Sequence, residues 1–257
     1  MEAGGVSVKL SSRVSKIEKH AANSLAVVLS NGETISGSVL LNATGRRPRT
    51  FDFGLESIGL TGEGLPLKTD ASLAVPTSHG DVSWLFAIGD VNGLGPTTHM
   101  GIYQARIASN AILYSIRDKR SSVKINTPIG VTVTEAMGSE NTFPQVIFTE
   151  PNIGAVGHTL ASAQSAGLKV KTVDHDFSFP QAWLYGDGQP GWARWVIEEG
   201  TDKLVGATFC CVEGSEFINA SQVAILQGMT LKEMVHVVPP FPTRGEIWTY
   251  LLNAAGF

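Results

Sequence analysis

The chain has 257 residues, of which 43% are hydrophobic and 16% are charged, and its formal net charge is −4. This length suffices for one large domain or for two smaller domains with their own cores. The acidic balance disfavours nucleic-acid binding, which needs a basic field. No segment approaches the ~20 apolar residues that span a bilayer, so neither a nucleic-acid partner nor a membrane partner is predicted.

The two cysteines, Cys210 and Cys211, are adjacent in the sequence. Adjacent cysteines do not form a framework of structural disulfides, and they lack the spacing of a redox pair or of a zinc site. We expect one of them to face a core from a strand and the other to face away. The start, MEAGGVSVKL, lacks the basic residues and the apolar run of a signal peptide. These features predict a cytoplasmic location.

Strand-forming runs dominate the first fifth of the chain. VSVKL, SKIEKH and SLAVVLS alternate partly between apolar and polar residues, and Asn31-Gly32 supplies a hairpin turn. GSVLLNATG then runs apolar to a glycine, which predicts a buried strand that ends beside a ligand or another backbone segment.

The next segment is predicted as loops, one strand and one long helix. Residues 46–80 are rich in loop signals, and SWLFAIGD predicts a second buried strand. A threonine cap after Pro96 opens a helix, with Ile102, Ala105, Ile112 and Leu113 on related faces. The polar stretch RDKRSSVKIN marks a candidate domain boundary.

The remaining part predicts an antiparallel sheet with helices, an α+β pattern. QVIFTEP is a short strand ended by proline, and HTLASAQSAG is a helix closed by Gly167. KVKTVDHDF, GWARWVIEE and LVGATFCCV are strand-like, with GTDK as a hairpin turn between the last two. Helices follow at SEFINASQVAILQG, at TLKEMVHV with a capping box, and at EIWTYLLNAA.

LFAIGD is the first stretch whose residue types suit the binding of a ligand. Ligands of open α/β sheets bind beyond the carboxyl ends of strands, where Gly89-Asp90 would place a small backbone and a carboxylate acceptor. A carboxylate accepts hydrogen bonds from sugar or ribityl hydroxyls, and the helix after Pro96 would aim free N–H groups at an electron-rich edge. A solvent-facing turn after a core strand is the equally weighted alternative.

NATGRRP is the second such stretch. A strand ending in Ala43, Thr44 and Gly45 would let another backbone or a flat ring come close. Arg46 and Arg47 suit phosphate contacts. A strand end with solvated arginines is at least as good an interpretation of these residues alone.

FPTRGE is the third, because it has the spacing of an acid–base motif, H-P-T-x-x-E. In that motif a histidine shuttles a proton and the glutamate orients it. Here Phe241 occupies the histidine position, while Glu246 keeps the orienting position. His236 is a weak substitute, and an ordinary surface histidine is the favoured interpretation. Four further histidines lack metal-ligand spacing, so no metal is predicted: His20, His79, His158 and His175.

Taken together and in this order, these motifs resemble the FAD-dependent pyridine nucleotide-disulfide oxidoreductase family, which includes dihydrolipoamide dehydrogenase, glutathione reductase and mercuric reductase. The resemblance covers essentially the whole chain. The stretches that carry it are GVSVKLSSRVSKIEK, LLNATGRRPRT, LFAIGDVNGLGPTTHMGIYQAR, PQVIFTEPNIGAVGHTLASAQSAG, LVGATFCCVEGSEFINASQVAILQGMTLKEM and FPTRGEIW.

The resemblance implies a fold class of α/β plus α+β, with a partial Rossmann-like FAD/NAD(P)-binding region followed by an interface domain. It implies that residues 1–50 end an NAD(P)-binding domain, that 51–122 are the C-terminal part of an FAD-binding domain, and that 123–257 form a homodimer interface domain with an antiparallel sheet.

The cofactors that the resemblance implies are FAD and NAD(P). It places Asp90, after Gly89, on the ribityl chain. The helix start beside the flavin ring comprises Thr97, Thr98, His99 and Met100, with His99 acting through its backbone or ring face. Ala43, Thr44 and Gly45 would lie along the cofactor cleft.

Two departures from the family pattern matter. The N-terminal half, with its glycine-rich phosphate loop, redox cysteine pair and nicotinamide-binding motif, is absent, so the chain is expected to be a C-terminal fragment. Phe241 removes the base, which puts ordinary disulfide turnover in doubt, because the reduced thiolate would lack its acid–base partner. Glu246 remains as the orienting residue, and the acceptor stays open among a disulfide, a quinone and a metal ion.

Two functions therefore stand at this point. The first is the C-terminal portion of a flavin-dependent oxidoreductase that passes electrons from NAD(P)H through FAD. The alternative is a homodimerisation module that is catalytically inert in isolation. For that module, either interface anchoring or core packing suits four tryptophans: Trp183, Trp192, Trp195 and Trp248.

Overall fold

A computed structural model describes residues 5–21, 23–77, 84–119 and 143–257 of the chain. The chain divides into two compact units, Met1–Arg47 and Pro48–Phe257. The predicted boundary between residues 122 and 123, residues 120–126 of the polar stretch that suggested it and His79 lie outside the described residues. The domain limits inferred from the resemblance stay predictions.

The first unit is an antiparallel three-stranded meander in the order β1-β2-β3. Its strands are β1 (Val14–Ala21), β2 (Ser24–Leu29) and β3 (Thr34–Gly37). Between β2 and β3, Gly32 adopts a positive φ of 86° and its N–H bonds to the Leu29 carbonyl at 3.0 Å. The strand predictions at SKIEKH and SLAVVLS and the Asn31-Gly32 turn are confirmed.

Two strand predictions in this unit are wrong. Residues 6–10 are irregular, and so is the chain after β3, where Val39 and Leu41 are 85% and 86% exposed. An apolar run becomes a buried strand only where neighbouring strands supply hydrogen bonds and cover its faces. Among the described residues, no strand pairs with 38–47.

The second unit opens with turns and isolated bridge pairing. The predicted buried strand at SWLFAIGD is wrong, and Ser83 lies outside the described residues. Ala74 and Phe86 form one antiparallel bridge, flanked by bonds from Val75 N to Leu85 O at 3.0 Å and from Ala87 N to Leu73 O at 3.1 Å. The ladder ends there because the backbone turns left-handed at Gly89, with φ of 74°.

Helix α1 (Thr98–Lys119) follows as predicted, but its buried face differs from the predicted one. Ile102 and Ile112 are exposed, whereas four other residues are buried: Met100, Gln104, Ile107 and Ala108. These four follow the i, i+4, i+7, i+8 spacing of one helical face. The prediction followed apolar residues only, so it missed a face that contains a buried glutamine.

A five-stranded antiparallel sheet in the order β4-β5-β8-β7-β6 forms the centre of the second unit. Its strands are β4 (Gln145–Ile147), β5 (Asn152–Gly157), β6 (Val170–Asp176), β7 (Trp192–Glu198) and β8 (Leu204–Cys211). The predictions for β4, β6, β7 and β8 are confirmed, while β5 was not predicted. Cys211 is buried and Cys210 is half-buried, so the expected opposite orientations are confirmed.

Helices cover the sheet and complete its core. They are α2 (Leu160–Ser165), α3 (Pro180–Tyr185), α4 (Ile218–Leu226), α5 (Leu231–Met234) and α6 (Ile247–Ala254). The capping box at Thr230 and Glu233 is present at the start of α5, as predicted. Helix α3 was not predicted. None of the helices in the described ranges combines the length and hydropathy needed to cross a bilayer.

The four tryptophans divide evenly between core and surface. Trp195 and Trp248 are buried and meet edge to face, with ring centroids 5.1 Å apart and an interplanar angle of 80°. Trp183 and Trp192 are exposed. Core packing is therefore the correct interpretation for the first pair only. In outline, the chain combines a mixed α/β part with an α+β domain, and the predicted fold class is confirmed.

Candidate functional site

The Gly89-Asp90 turn lies directly before helix α1 and is open to solvent. It is a short 3₁₀ turn, Gly89–Asn92, that ends at Gly93, whose N–H bonds to the Asp90 carbonyl at 3.3 Å. The Asp90 side chain is exposed, and no atom lies within 4 Å of the place where a Cβ on Gly89 would stand. Asp90 is thus outside any sealed core, beside open space at Gly89.

A buried amide network holds this turn against α1. The fully buried Gln104 accepts from Gly89 N at 2.7 Å and from Asn92 Nδ2 at 2.9 Å, and its Nε2 donates to Leu94 O at 2.6 Å. Asn92 Nδ2 also donates to Ala87 O at 3.0 Å. One side chain on α1 therefore fixes both ends of the turn that carries Asp90.

The predicted site residues at the start of α1 lie in three environments, the first of which is that of the half-buried Thr97. Thr98 and His99 are exposed, whereas the Met100 side chain is buried, so only the backbone of Met100 can meet a ligand there. His99 Nε2 donates to the Pro144 carbonyl at 2.8 Å, because a carbonyl can only accept. Nε2 also lies 3.0 Å from Thr97 Oγ1. The His99 ring is therefore oriented by two partners.

Ala43, Thr44 and Gly45 belong to the other compact unit, where they are exposed and irregular. The side-chain oxygen of Asn42 accepts from Thr44 N at 3.2 Å and from Thr44 Oγ1 at 2.8 Å. This local turn takes the place of the predicted strand end. A flavin contact by these residues stays a prediction.

The FPTRGE loop presents Phe241 to solvent, with 75% of the residue exposed. Thr243 Oγ1 donates to Pro240 O at 2.6 Å, and Glu246 N bonds to Thr243 O at 3.4 Å. The Glu246 Oε2 atom is buried and has no hydrogen-bond partner in the described part of the chain. His236 is exposed and forms no side-chain hydrogen bond to Glu246 there, so the structure does not bring these two together.

Arg244, between the motif positions, is a buried cation that sequence reasoning missed. Its guanidinium carbon lies 5.2 Å from the Phe177 ring centroid and 5.5 Å from that of Phe217. Its Nη1 donates to the Val212 carbonyl. Burial raises the pKa of the neighbouring Cys211 thiol to about 11, although the positive charge of Arg244 opposes the rise. Cys211 therefore stays protonated at neutral pH and is a poor nucleophile.

Sequence reasoning also missed Gln104 and Asn92, although the signal for Gln104 was present. Gln104 lies four residues after Met100 and three before Ile107, on the same helical face. A polar residue on a buried face needs partners, and turn backbone N–H and C=O groups are the usual ones. That reasoning would have linked Gln104 to the preceding turn.

A shallow groove of about 580 Å³ lies beside the β6 and β7 ends of the sheet. Its lining includes three aromatic side chains, those of Phe177, Trp183 and Trp192, together with Asp176 and Cys210. The groove contains none of the residues predicted to bind a cofactor.

Comparison with protein families identifies both parts of the chain. Residues 1–111 match the model described as pyridine nucleotide-disulphide oxidoreductase, and residues 143–251 match the model of the dimerisation domain of the same family. The chain belongs to the pyridine nucleotide-disulphide oxidoreductase family. Members of this family use FAD and NAD(P)H. The predicted family membership and its implied cofactor class are confirmed.

Curated relatives in this oxidoreductase family are similar over most of the chain. Dihydrolipoyl dehydrogenase from Bacillus subtilis is 27% identical over 217 residues, which are 84% of this chain and 41% of the relative. Mercuric reductase from Staphylococcus aureus is 26% identical over 235 residues, which are 90% of this chain and 39% of the relative. The chain thus spans about two fifths of the length of these relatives.

Solved structures share the fold at lower identity. LpdA from Mycobacterium tuberculosis superposes with a TM-score of 0.72 at 21% identity, covering 95% of this chain and 48% of that chain. RclA from Escherichia coli, an HOCl-induced flavoprotein disulfide reductase, superposes with a TM-score of 0.74 at 22% identity, covering 98% of this chain and 53% of that chain. At this identity the likeness establishes the fold.

The residues at the Asp90 turn fit a flavin dinucleotide. The backbone at Gly89 is open, the Asp90 carboxylate can accept from hydroxyl groups, and the first N–H groups of α1 offer a positive helix end. The arrangement can bind and orient a polar cofactor chain. The redox chemistry itself is supplied by the flavin when it is bound.

Proposed function

We propose that this chain is the C-terminal portion of a flavin-dependent oxidoreductase that passes electrons from NAD(P)H through FAD to an acceptor. The observation that carries the proposal is the exposed Asp90 turn, held against the start of α1 by Gln104. The family match across both parts of the chain supports it.

In this proposal Asp90 accepts hydrogen bonds from the ribityl hydroxyls of FAD, and the backbone at Thr97–Met100 meets the flavin edge. Such contacts bind and orient the cofactor, and the buried network behind them holds the turn in its binding conformation before the cofactor arrives.

The acceptor side is proposed to lie at the FPTRGE loop of the partner subunit in a homodimer. The dimerisation-domain match supports dimer formation. Phe241 presents an apolar ring and cannot transfer a proton, so an acceptor that needs no proton shuttle at this position is favoured. A metal ion takes up no proton on reduction, and a quinone can take its two protons from solvent, so both fit better than a disulfide. A cytoplasmic location remains a prediction.

One experiment tests the proposal by comparing the full-length protein with the 257-residue chain. We expect the purified full-length protein to show flavin absorbance and to oxidise NAD(P)H with quinones or metal ions faster than with glutathione or lipoamide disulfides. The isolated chain is expected to be a dimer by mass and colourless or weakly flavin-bound, because it spans about two fifths of its curated relatives.

Two results would contradict this reading. A full-length protein without flavin would remove the function, and stoichiometric flavin in the isolated chain would show that the chain alone completes the pocket. A full-length variant with Asp90→Ala serves as the matched comparison, because it removes the proposed hydroxyl acceptor from an exposed position without disturbing the buried network.

A further inference from the structure

The FPTRGE loop, residues 241–246, and the three residues before it make few backbone hydrogen bonds. Pro239, Pro240 and Pro242 lack an N–H group. None of the residues 238–243 donates a backbone hydrogen bond to any part of the chain that the structure describes. Something other than backbone pairing must therefore hold this loop to the domain.

The side chain of Arg244 makes that connection. It is nine-tenths buried, with its guanidinium between Phe177 and Phe217 at 5.2 and 5.5 Å, and it donates to the carbonyl of Val212. A Cβ on Gly186 would lie 3.8 Å from Arg244 Nε. Arg244 thus joins the loop to the chain after β6, after β8, after α3 and before α4.

The electrostatics at Arg244 are unusual for a structural arginine. No carboxylate of the described residues lies within ion-pair distance of it, and its buried Nε has no hydrogen-bond partner there. A buried charge without an ion pair is costly, and two aromatic faces, the Val212 carbonyl and a hydrogen bond with the Cys211 thiol offset part of that cost. The position of the guanidinium is therefore narrowly defined.

We propose that Arg244 is the positioning residue of the FPTRGE loop, and that its clamped guanidinium sets where Phe241 and Glu246 stand. Arg244 is too deeply buried to touch an acceptor itself. Glu246 follows it by two residues in the same 3₁₀ turn, Arg244–Glu246, and Phe241 precedes it across a single proline and a threonine. A shift of the guanidinium therefore moves both residues.

The direct test places fluorophenylalanine at position 241 of the purified chain and records its ¹⁹F resonance. Arg244→Met keeps the length of the side chain but removes its charge and its donors. We expect the resonance to shift and to narrow in Arg244→Met, because the loop gains freedom, and Arg244→Lys to restore part of the original signal. Arg194→Met is the matched control, since Arg194 also lies over an aromatic ring, Trp192, but is exposed.

The ¹⁹F experiment has outcomes that support the proposal and outcomes that overturn it. An unchanged resonance in folded Arg244→Met overturns the proposal, and so does an equal change in Arg194→Met. If Arg244→Met does not fold, the Arg244→Lys variant decides: a displaced resonance in the folded protein supports the proposal, and an unchanged one overturns it.

The functional consequence rests on the proposed function and is measured in the full-length protein. We expect Arg244→Met to raise KM for the acceptor about tenfold while KM for NAD(P)H and the flavin spectrum stay unchanged, because only the acceptor side loses its geometry. A rise in both KM values contradicts a local role. A wild-type protein that reduces no acceptor defeats the proposed function, whereas the ¹⁹F result still decides the role of Arg244.

Discussion

The Asp90 turn and the FPTRGE loop both precede a helix, yet their buried polar groups are treated in opposite ways. At the turn, the Gln104 amide uses its oxygen and its nitrogen at distances between 2.6 and 2.9 Å. At the loop, Arg244 Nε and Glu246 Oε2 are buried without a partner in the described part of the chain.

This difference has a physical meaning. A fully satisfied buried network is rigid and stabilises one conformation, whereas unsatisfied buried groups raise the free energy of the state that contains them. The Gln104 side chain at the turn therefore has its hydrogen-bond partners within this chain. At the loop, the free-energy cost of Arg244 Nε and Glu246 Oε2 is not offset by any hydrogen bond to those two atoms among the described residues.

The largest expected effect is on the Asp90 turn. Gln104→Leu leaves Gly89 N, the Leu94 carbonyl and one Asn92 donor without their partner in a buried place. We expect the free energy of unfolding to fall by about 3 kcal/mol, since each buried unsatisfied group costs about 1–3 kcal/mol. Urea denaturation of the isolated chain measures it, with Ser109→Ala on the exposed side of α1 as the control. If Gln104→Leu lowered the free energy of unfolding less than Arg244→Met does, the FPTRGE loop would contribute more to stability than the Asp90 turn, contrary to this prediction.

The second prediction concerns the FPTRGE loop. Phe241→His restores the proton-shuttling residue type beside a glutamate that has a buried, unpaired oxygen. We expect disulfide reduction by the full-length protein to rise by on the order of tenfold, because positioned acid–base groups contribute factors of about 10² or more. The measurement is steady-state NAD(P)H oxidation with a disulfide acceptor, and Phe241→Leu is the apolar control. Fast disulfide reduction by the wild type would show that Phe241 does not limit this reaction.

The smallest expected effect on the free energy of unfolding is that of the exposed ion pair between Arg194 and Asp174. The effects at the turn and at the loop are compared with it. Arg194 donates to both Asp174 oxygens at 2.7 Å, and these hydrogen bonds lower the pKa of the Asp174 carboxyl. A lowered folded-state pKa stabilises the protein above the unfolded pKa, and that stabilisation is lost as the pH falls through the folded-state pKa. Because both side chains are exposed, we expect at most about 0.5 kcal/mol.

The variant Asp174→Asn tests this prediction. Its deficit in unfolding free energy should be present at neutral pH and should shrink in acid, as the pH falls through the lowered pKa of the Asp174 carboxyl in the folded wild type. Glu199→Gln, an exposed change outside any ion pair of the described residues, is the control. A deficit that grows in acid would contradict the sign of the pKa change.

Local signals in the sequence were read well wherever the partner of a segment lies nearby in the chain. The Asn31-Gly32 turn, the Thr230–Glu233 capping box and the hairpin of β7 and β8 depend on residues a few positions apart, and all were predicted. GSVLLNATG and SWLFAIGD were predicted as buried strands, but the described residues 38–45 and 84–90 form no strand. The reason is that a strand needs distant partners that an apolar run cannot specify. Gln104 was missed because the search for a helical face counted apolar residues only.

By itself, the sequence determined the family, the antiparallel α+β character of the second half and the loss of the histidine at position 241, because these are carried by residue identity and local spacing. The tertiary structure alone decided that Gln104 holds the Asp90 turn, that Arg244 lies between two phenylalanine rings, and that Trp195 and Trp248 are core while Trp183 and Trp192 are surface. Those properties depend on which distant segments fold against one another, and burial and hydrogen bonding exist only after that contact is made.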